Sequence, residues 1–261
     1  MKWSLQQSTQ AAQKLPPDAQ QQIYASTLHQ ALSICNYNIP AALQVNSDQT
    51  QVVYQQGSSM TYVETGSTQV PMIGAIYGGK TVKSLPNDSD DGFIEAHKLG
   101  FQFEVSKTDT YWLTLETMKQ YVITILAPYF TSTKQSLSLE TNQECIWQID
   151  IWLVHTSLKF HIWLHETHPY IILDYVPGSC TGIFQPCDVG IQCILKQSIQ
   201  KSQHANVIKE VCDQLDSGVE AGDIILDMKL GALCNCSPQW LVNAYIHVNK
   251  SVIVLKVIFS F

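Results

Sequence analysis

Apolar and polar positions recur along this chain with two different periods, and each change of period marks an element. After Pro16-Pro17, Ile23, Leu28, Leu32 and Ile34 follow at roughly helical spacing, with Asp18 placed to cap the helix predicted within residues 1–34. From Ala42 to Tyr54 the pattern becomes that of a strand, with Asp48 in its middle. A polar loop with room for one short helix fills Asn87 to Lys107. Thr114 then reads as an N-cap with Glu116 in the first turn, and Met118, Tyr121, Val122, Ile125, Leu126 and Tyr129 follow at spacings of three and four. Pro128 marks the expected end of that helix.

Apolar strands are predicted over 145–154 and 170–176, separated by a helix over 157–166 that carries Phe160, Trp163 and Leu164. The first strand ends its apolar run at Asp150. Beyond a Gly-rich loop, Phe184-Gln-Pro-Cys-Asp188-Val-Gly190 reads as the start of a helix. Helices over about 189–204, 205–217 and 238–248 complete the chain. Strands and helices interspersed in this way predict an α/β fold.

Composition narrows the class. At 261 residues, 45% of them hydrophobic, the chain can bury a substantial core and is not a disordered segment. No apolar run follows Met1-Lys2, so secretion is not expected, and the apolar run Ser251–Phe261 is too short to cross a bilayer. Eight cysteines in that setting are expected as reduced thiols. The net charge is −7, and all 15 basic residues are lysine. Proteins that grip a phosphate backbone usually carry a basic stripe, so composition alone argues against nucleic acid.

Four groups of residues invite a chemical reading. Gly74-Ala-Ile-Tyr-Gly-Gly-Lys80-Thr81 satisfies the P-loop pattern, with Asp174 on a following strand, but a phosphate loop must open a helix, and Pro86 with its turn cluster stands too close behind it. His161, His165 and His168 have zinc-like spacing without a clear further ligand. The loop Gly178–Gly182 holds Cys180, with His155 as a conceivable base. The fourth group is acidic. An aspartate at the end of a buried strand is costly unless something positive meets it, and two such acids from distant elements suit a divalent cation.

The segments Asn46–Tyr54 (NSDQTQVVY), Gln148–His155 (QIDIWLVH) and Ile172–Gly190 (ILDYVPGSCTGIFQPCDVG) carry a resemblance. In wording and order they resemble the DDE superfamily endonuclease domain of mariner/pogo-type transposases, over Trp3 to about Asn249. The resemblance implies an RNase H-like mixed sheet flanked by helices, with residues 1–41 as a helical lead-in, 42–204 as the catalytic core and 205–261 as a helical C-terminal extension. It implies Asp48, Asp150 and Asp188 as the catalytic acids, 37 residues separating the last two, which is the three-aspartate variant of the triad. The same three would hold Mg²⁺ or Mn²⁺. Paired ions of this kind, about 4 Å apart, activate an attacking water or 3′-hydroxyl and stabilise the leaving oxygen. The implied partner is DNA and not a membrane, the location is nuclear, and a homodimer is one arrangement compatible with it. The family's helix-turn-helix module lies ahead of the matching region, so it is not expected here.

Three departures from the family bear on activity. Between Val70 and Pro71 the family carries roughly two dozen more residues, about one hairpin, so the second and third strands are expected to be truncated beside Asp48. His161, Cys193, Gln200, Cys234 and Cys236 stand where arginine is expected. Single cytosine transitions turn CGN arginine codons into Cys, Gln or His codons, so the missing arginines fit a copy worn by deamination. The expectation is a degenerate endonuclease domain, with His155, five residues after Asp150, either orienting the site or serving as a core or supporting residue.

Overall fold

A computed structural model describes residues 15–50, 74–108 and 114–250. In chain order these form helix α1 (Ala19–Tyr37), strand β1 (Gln44–Asn46), strand β2 (Gly74–Tyr77), helix α2 (Asp91–Lys98) and strand β3 (Gln102–Val105). Helices α3 (Leu115–Tyr121) and α4 (Ala127–Ser136) follow, then strand β4 (Cys145–Ile149), helix α5 (Leu158–Thr167) and strand β5 (Ile171–Tyr175). A single turn, α6 (Thr181–Phe184), leads to the long helices α7 (Gln192–Asp216) and α8 (Leu230–Val248).

The class is α/β, with two small parallel sheets. One has the order β1-β4-β5 and the other pairs β2 with β3. Parallel strands need covered faces, and β4 satisfies that requirement, being buried at all five positions. Trp147 and Ile149 of β4 join Leu43, Val122, Phe130 and Phe160 in the principal core. A second core gathers Ala96 of α2, Phe101, Ile199 of α7 and Trp240 and Val242 of α8. There α2 lies against α8 so closely that a Cβ on Gly92 would meet Gln239 Cβ at 2.8 Å and its backbone nitrogen at 2.9 Å. Only glycine fits that crossing.

Several local expectations need correction. The strand expected over Ala42–Tyr54 covers only Gln44–Asn46 among the described residues, and Asp48 lies in the loop after it. A turn of 3₁₀ helix over Ala41–Leu43 fills what was read as the strand's start. The strand over 145–154 stops at Ile149, and the backbone turns at 153–156 to enter α5. The polar loop of 87–107 contains β3 as well as α2.

Pro128 does not end its helix. A wide π turn over Val122–Leu126 precedes it, and the helix runs on through α4 to Ser136 with Pro128 in the first turn. The wide turn, closed by Ala127 N–H on the Val122 carbonyl, breaks the regular ladder just ahead of Pro128 and makes room for a residue that has no N–H to give. The helices expected at 189–204 and 205–217 are one continuous helix, α7, so the boundary drawn at 204/205 falls inside it. Asp18 occupies the N-cap of α1, but its carboxylate accepts from Gln22 Nε2 at 2.9 Å and not from the backbone. Thr114 behaves as read, forming a reciprocal capping box with Thr117. The junction at Val70–Pro71 lies outside the described residues.

Candidate functional site

β1 and β4 are adjacent and parallel, with Asn46 opposite Gln148, so both release their chains at the same edge of the sheet. Asp48 stands two residues past the end of β1 and Asp150 one residue past the end of β4. Asp188 comes from the π turn Cys187–Ile191 that leads into α7, a widened turn of a kind often found at functional sites. The turn is tied to β1 directly: Cys187 N donates to Asn46 Oδ1 at 3.1 Å, and Cys187 Sγ reaches Asn46 O at 3.6 Å. The turn that bears Asp188 is thus tied to the strand that releases Asp48.

Asp48 is the acid whose surroundings perturb it most. Burial, the neighbouring Asp188 carboxylate with which it shares a hydrogen bond, and the charge of Asp150 together push the Asp48 carboxyl up to about 8. Asp48 thus holds a proton that an isolated aspartate would have released. Gln192, in the first turn of α7, donates its side-chain amide to Asp48 Oδ2. Burial, reinforced by Asp48 and Asp188, pushes the Cys187 thiol up to about 12, which makes it inert as a nucleophile.

Asp150 is held from the other side. His155 Nδ1 lies 2.8 Å from Asp150 Oδ1 and 3.0 Å from the Asp150 carbonyl oxygen. The ring is buried and leaves Asp150 more exposed than itself, at 28% against 8%. Behind it, the Tyr175 hydroxyl donates to the His155 carbonyl at 2.7 Å and stands 2.8 Å from His161 Nε2. Residues on α5 and β5 thereby fix the loop on which His155 sits.

A polar path also crosses the sheet. Asn46 Nδ2 donates to Gln148 Oε1 at 3.2 Å, and Gln148 Nε2 donates to Asp174 Oδ2 at 3.0 Å. Asp174 Oδ1 lies 3.5 Å from His29 Nδ1 on α1. Burial raises the Asp174 carboxyl, while Gln148 and His29 hold it down. Gln148, Asn46 and Gln192 were not singled out from the sequence. Gln148 at the centre of an otherwise apolar strand was the available signal, since a buried amide needs partners on both atoms.

The other candidate chemistries find no support in the geometry. After Thr81 comes a 3₁₀ turn, Val82–Ser84, and the next α-helix starts at Asp91, so Gly74–Thr81 opens no helix that could hold a phosphate. Gly74 itself is the first residue of β2. His161 is committed to Tyr175 and the His155 carbonyl, while the His168 ring lies edge-on to Trp163 and Tyr170. Cys180 is fully buried, and its supposed base, His155, is engaged by Asp150. All eight cysteines are free thiols.

Whether the acids suit a divalent ion depends on donor chemistry and on arrangement. Three carboxylates supply the hard oxygen donors that Mg²⁺ and Mn²⁺ take. Nearby, Gln185 is fully buried, its Nε2 reaches the Ser47 carbonyl at 3.4 Å, and its Oε1 has no partner among the described residues. The donor set fits a hard cation. The arrangement is closed, however: no three His, Cys, Asp or Glu side chains among the described residues stand in a geometry that would hold a metal. Asp48 spends its oxygens on Asp188 and Gln192 instead.

A scan against models of known protein families, a search of curated proteins and a search of solved structures each found no match. Among the described residues, no helix is long and apolar enough to cross a membrane.

Proposed function

We propose that this chain is a transposase-derived endonuclease domain of the DDE kind, RNase H-like in fold, nuclear, and impaired in this copy. Its ancestral reaction is metal-dependent cleavage and strand transfer of DNA. The observation that carries the reading is the hydrogen bond from Cys187 N to Asn46 Oδ1, which ties the turn bearing Asp188 to the strand that releases Asp48. Parallel pairing of β1 with β4 supports it, because neighbouring strands deliver two of the acids at one edge.

Asp48, Asp150 and Asp188 would hold Mg²⁺ or Mn²⁺, and the ion would supply charge stabilisation at a phosphodiester and an activated attacking oxygen. The protein's own groups do the rest. His155 keeps one Asp150 oxygen oriented, and the Asn46–Cys187 bond anchors the turn bearing Asp188. The reading of a relic rather than a working enzyme rests on the closed arrangement, with a proton and an amide where a cation is needed.

The test measures thermal stability and plasmid nicking together. Mn²⁺ is expected to raise the melting temperature of the full chain, since relieving repulsion among acids stabilises the folded state. Asp150→Asn is expected to abolish that rise. Nicking of supercoiled DNA that needs Mg²⁺ and Asp150 would identify a working enzyme. Stability indifferent to both metal and Asp150→Asn would overturn the metal site altogether.

A further inference from the structure

We infer that the strap of chain joining α7 to α8, residues 217–229, is a docking surface for a basic amphipathic segment of a partner protein. The strap runs back beside α7, and α7 holds it by its backbone. Gln214 does so with both ends of its amide: Nε2 donates to the Ile225 carbonyl at 2.8 Å, and Oε1 accepts the Ile225 N–H at 3.1 Å. One turn earlier on α7, Glu210 Oε1 accepts the Asp227 N–H at 2.7 Å. Residues four apart share a helix face, so Gln214 and Glu210 form one polar rail.

The rail satisfies the backbone of the strap and leaves its apolar side chains outside. Ile225 is 79% exposed, Met228 47% and Leu230, which opens α8, 71%. Beside them lies an open hollow of about 440 Å³, lined by Ile225, Leu226, Asp227, Met228 and Lys229. Exposed apolar residues scattered singly need no explanation, but three within six positions on an anchored strap mark a surface that something covers. Anchoring also means that little order has to be gained on binding. Methionine adds a side chain that moulds itself to an apolar neighbour.

Charge identifies the partner. Asp213, Asp216, Glu220, Asp223 and Asp227 are exposed on the strap and the last turn of α7, against Lys209 and Lys229. Such a rim repels the same face of a second copy, an anionic lipid surface and a phosphate backbone alike. It attracts lysine and arginine. An apolar centre with an acidic border is the complement of a helix with an apolar stripe and basic flanks. The surface uses none of the residues of the acid site.

The experiment is fluorescence anisotropy of the full chain with a labelled peptide of about four helical turns, leucine on one face and lysine on the other. The variants are Ile225→Ser with Met228→Ser, Glu220→Gln with Asp223→Asn, and, as control, Leu28→Ser with Leu32→Ser on α1. All six positions are exposed, so none of these changes opens the core. Saturable binding is expected, about tenfold or more weaker in the Ile225 and Met228 variant, weaker in the neutralised variant, and unchanged in the α1 control. No saturable binding, or binding that the Ile225 and Met228 changes leave intact, overturns the proposal. Equal loss in the α1 control does the same, since the peptide would then be sticking to any exposed leucine. Sedimentation of the chain alone tests the other occupants: a dimer dissolved by the Ile225 and Met228 changes would assign the face to a second copy. Adsorption to phosphatidylserine vesicles lost in that variant would assign it to a membrane. Either result overturns the basic partner.

Discussion

Asp48 is the residue at which the physics of this molecule is most exposed. Its carboxyl is raised from 3.8 to about 8 by burial and by two acidic neighbours, so between those values the folded chain holds a proton that the unfolded chain has released. Folding therefore takes up a proton in that window, and stability falls as pH rises through it. Below 3.8 both states are protonated and the penalty vanishes; above 8 both are ionised and it is complete. Chemical denaturation of the natural protein and Asp48→Asn from pH 4 to pH 9 checks this. The difference in favour of Asp48→Asn is expected to grow up to about pH 8 and then level off. A difference flat with pH would mean that Asp48 is not held as a protonated acid.

Among the elements, the helices show how tertiary context overrides local pattern. On α1, Leu28 and Leu32 form part of the apolar spacing that predicts the helix, yet they are 45% and 59% exposed. The helix packs on the core through Ile34 and meets the sheet through polar atoms, Ser26 Oγ reaching the Tyr175 carbonyl at 3.4 Å and His29 reaching Asp174. A single apolar stripe establishes that a helix forms but not which way it faces. The crossing of α2 and α8 is the clearest element-level constraint, because the gap at Gly92 is filled by Gln239. Gly92→Ala would gain helix propensity but must push α8 away, and overpacking of this kind costs about 1–3 kcal/mol. Urea denaturation should show net destabilisation. A stabilised variant would show the crossing to be looser than described.

Across the whole molecule, the path His29–Asp174–Gln148–Asn46–Cys187 joins α1, all three strands of the larger sheet and the turn that bears Asp188. Gln148 is its hinge, buried on β4 between a donor and an acceptor. Gln148→Leu would strand the Asp174 carboxyl with His29 alone, at a cost of about 1–3 kcal/mol for a buried polar group left short of partners. It would leave Asn46 Nδ2 only the backbone carbonyl of residue 148, at 3.2 Å, so protection of the Cys187 amide from hydrogen exchange is expected to drop. Loss of stability with unchanged Cys187 protection would mean that the path ends at Gln148. Asp174 drew notice in the sequence only as a mimic of a nucleotide-site acid, and its role in the structure is to hold this path.

Taken alone, the sequence determined what depends on neighbours within a few residues. The capping box at Thr114, the helix beginning after Ser157, the buried strand Cys145–Ile149 and the turn cluster that denies Gly74–Thr81 a helix all follow from local propensity and local hydrogen bonding. Asp48, Asp150 and Asp188 were proposed as a set through the family resemblance, and the local pattern put Asp48 in the middle of a strand where the structure has a loop. What only the tertiary structure decided depends on non-local packing. It made α7 one helix, turned the leucines of α1 outward, carried a helix through Pro128 by a wide turn, and placed Gln192 against Asp48. The same packing closed the acid site. A carboxylate's partners are set by which strands lie side by side and where the next helix begins, and no local pattern of apolar and polar residues encodes either.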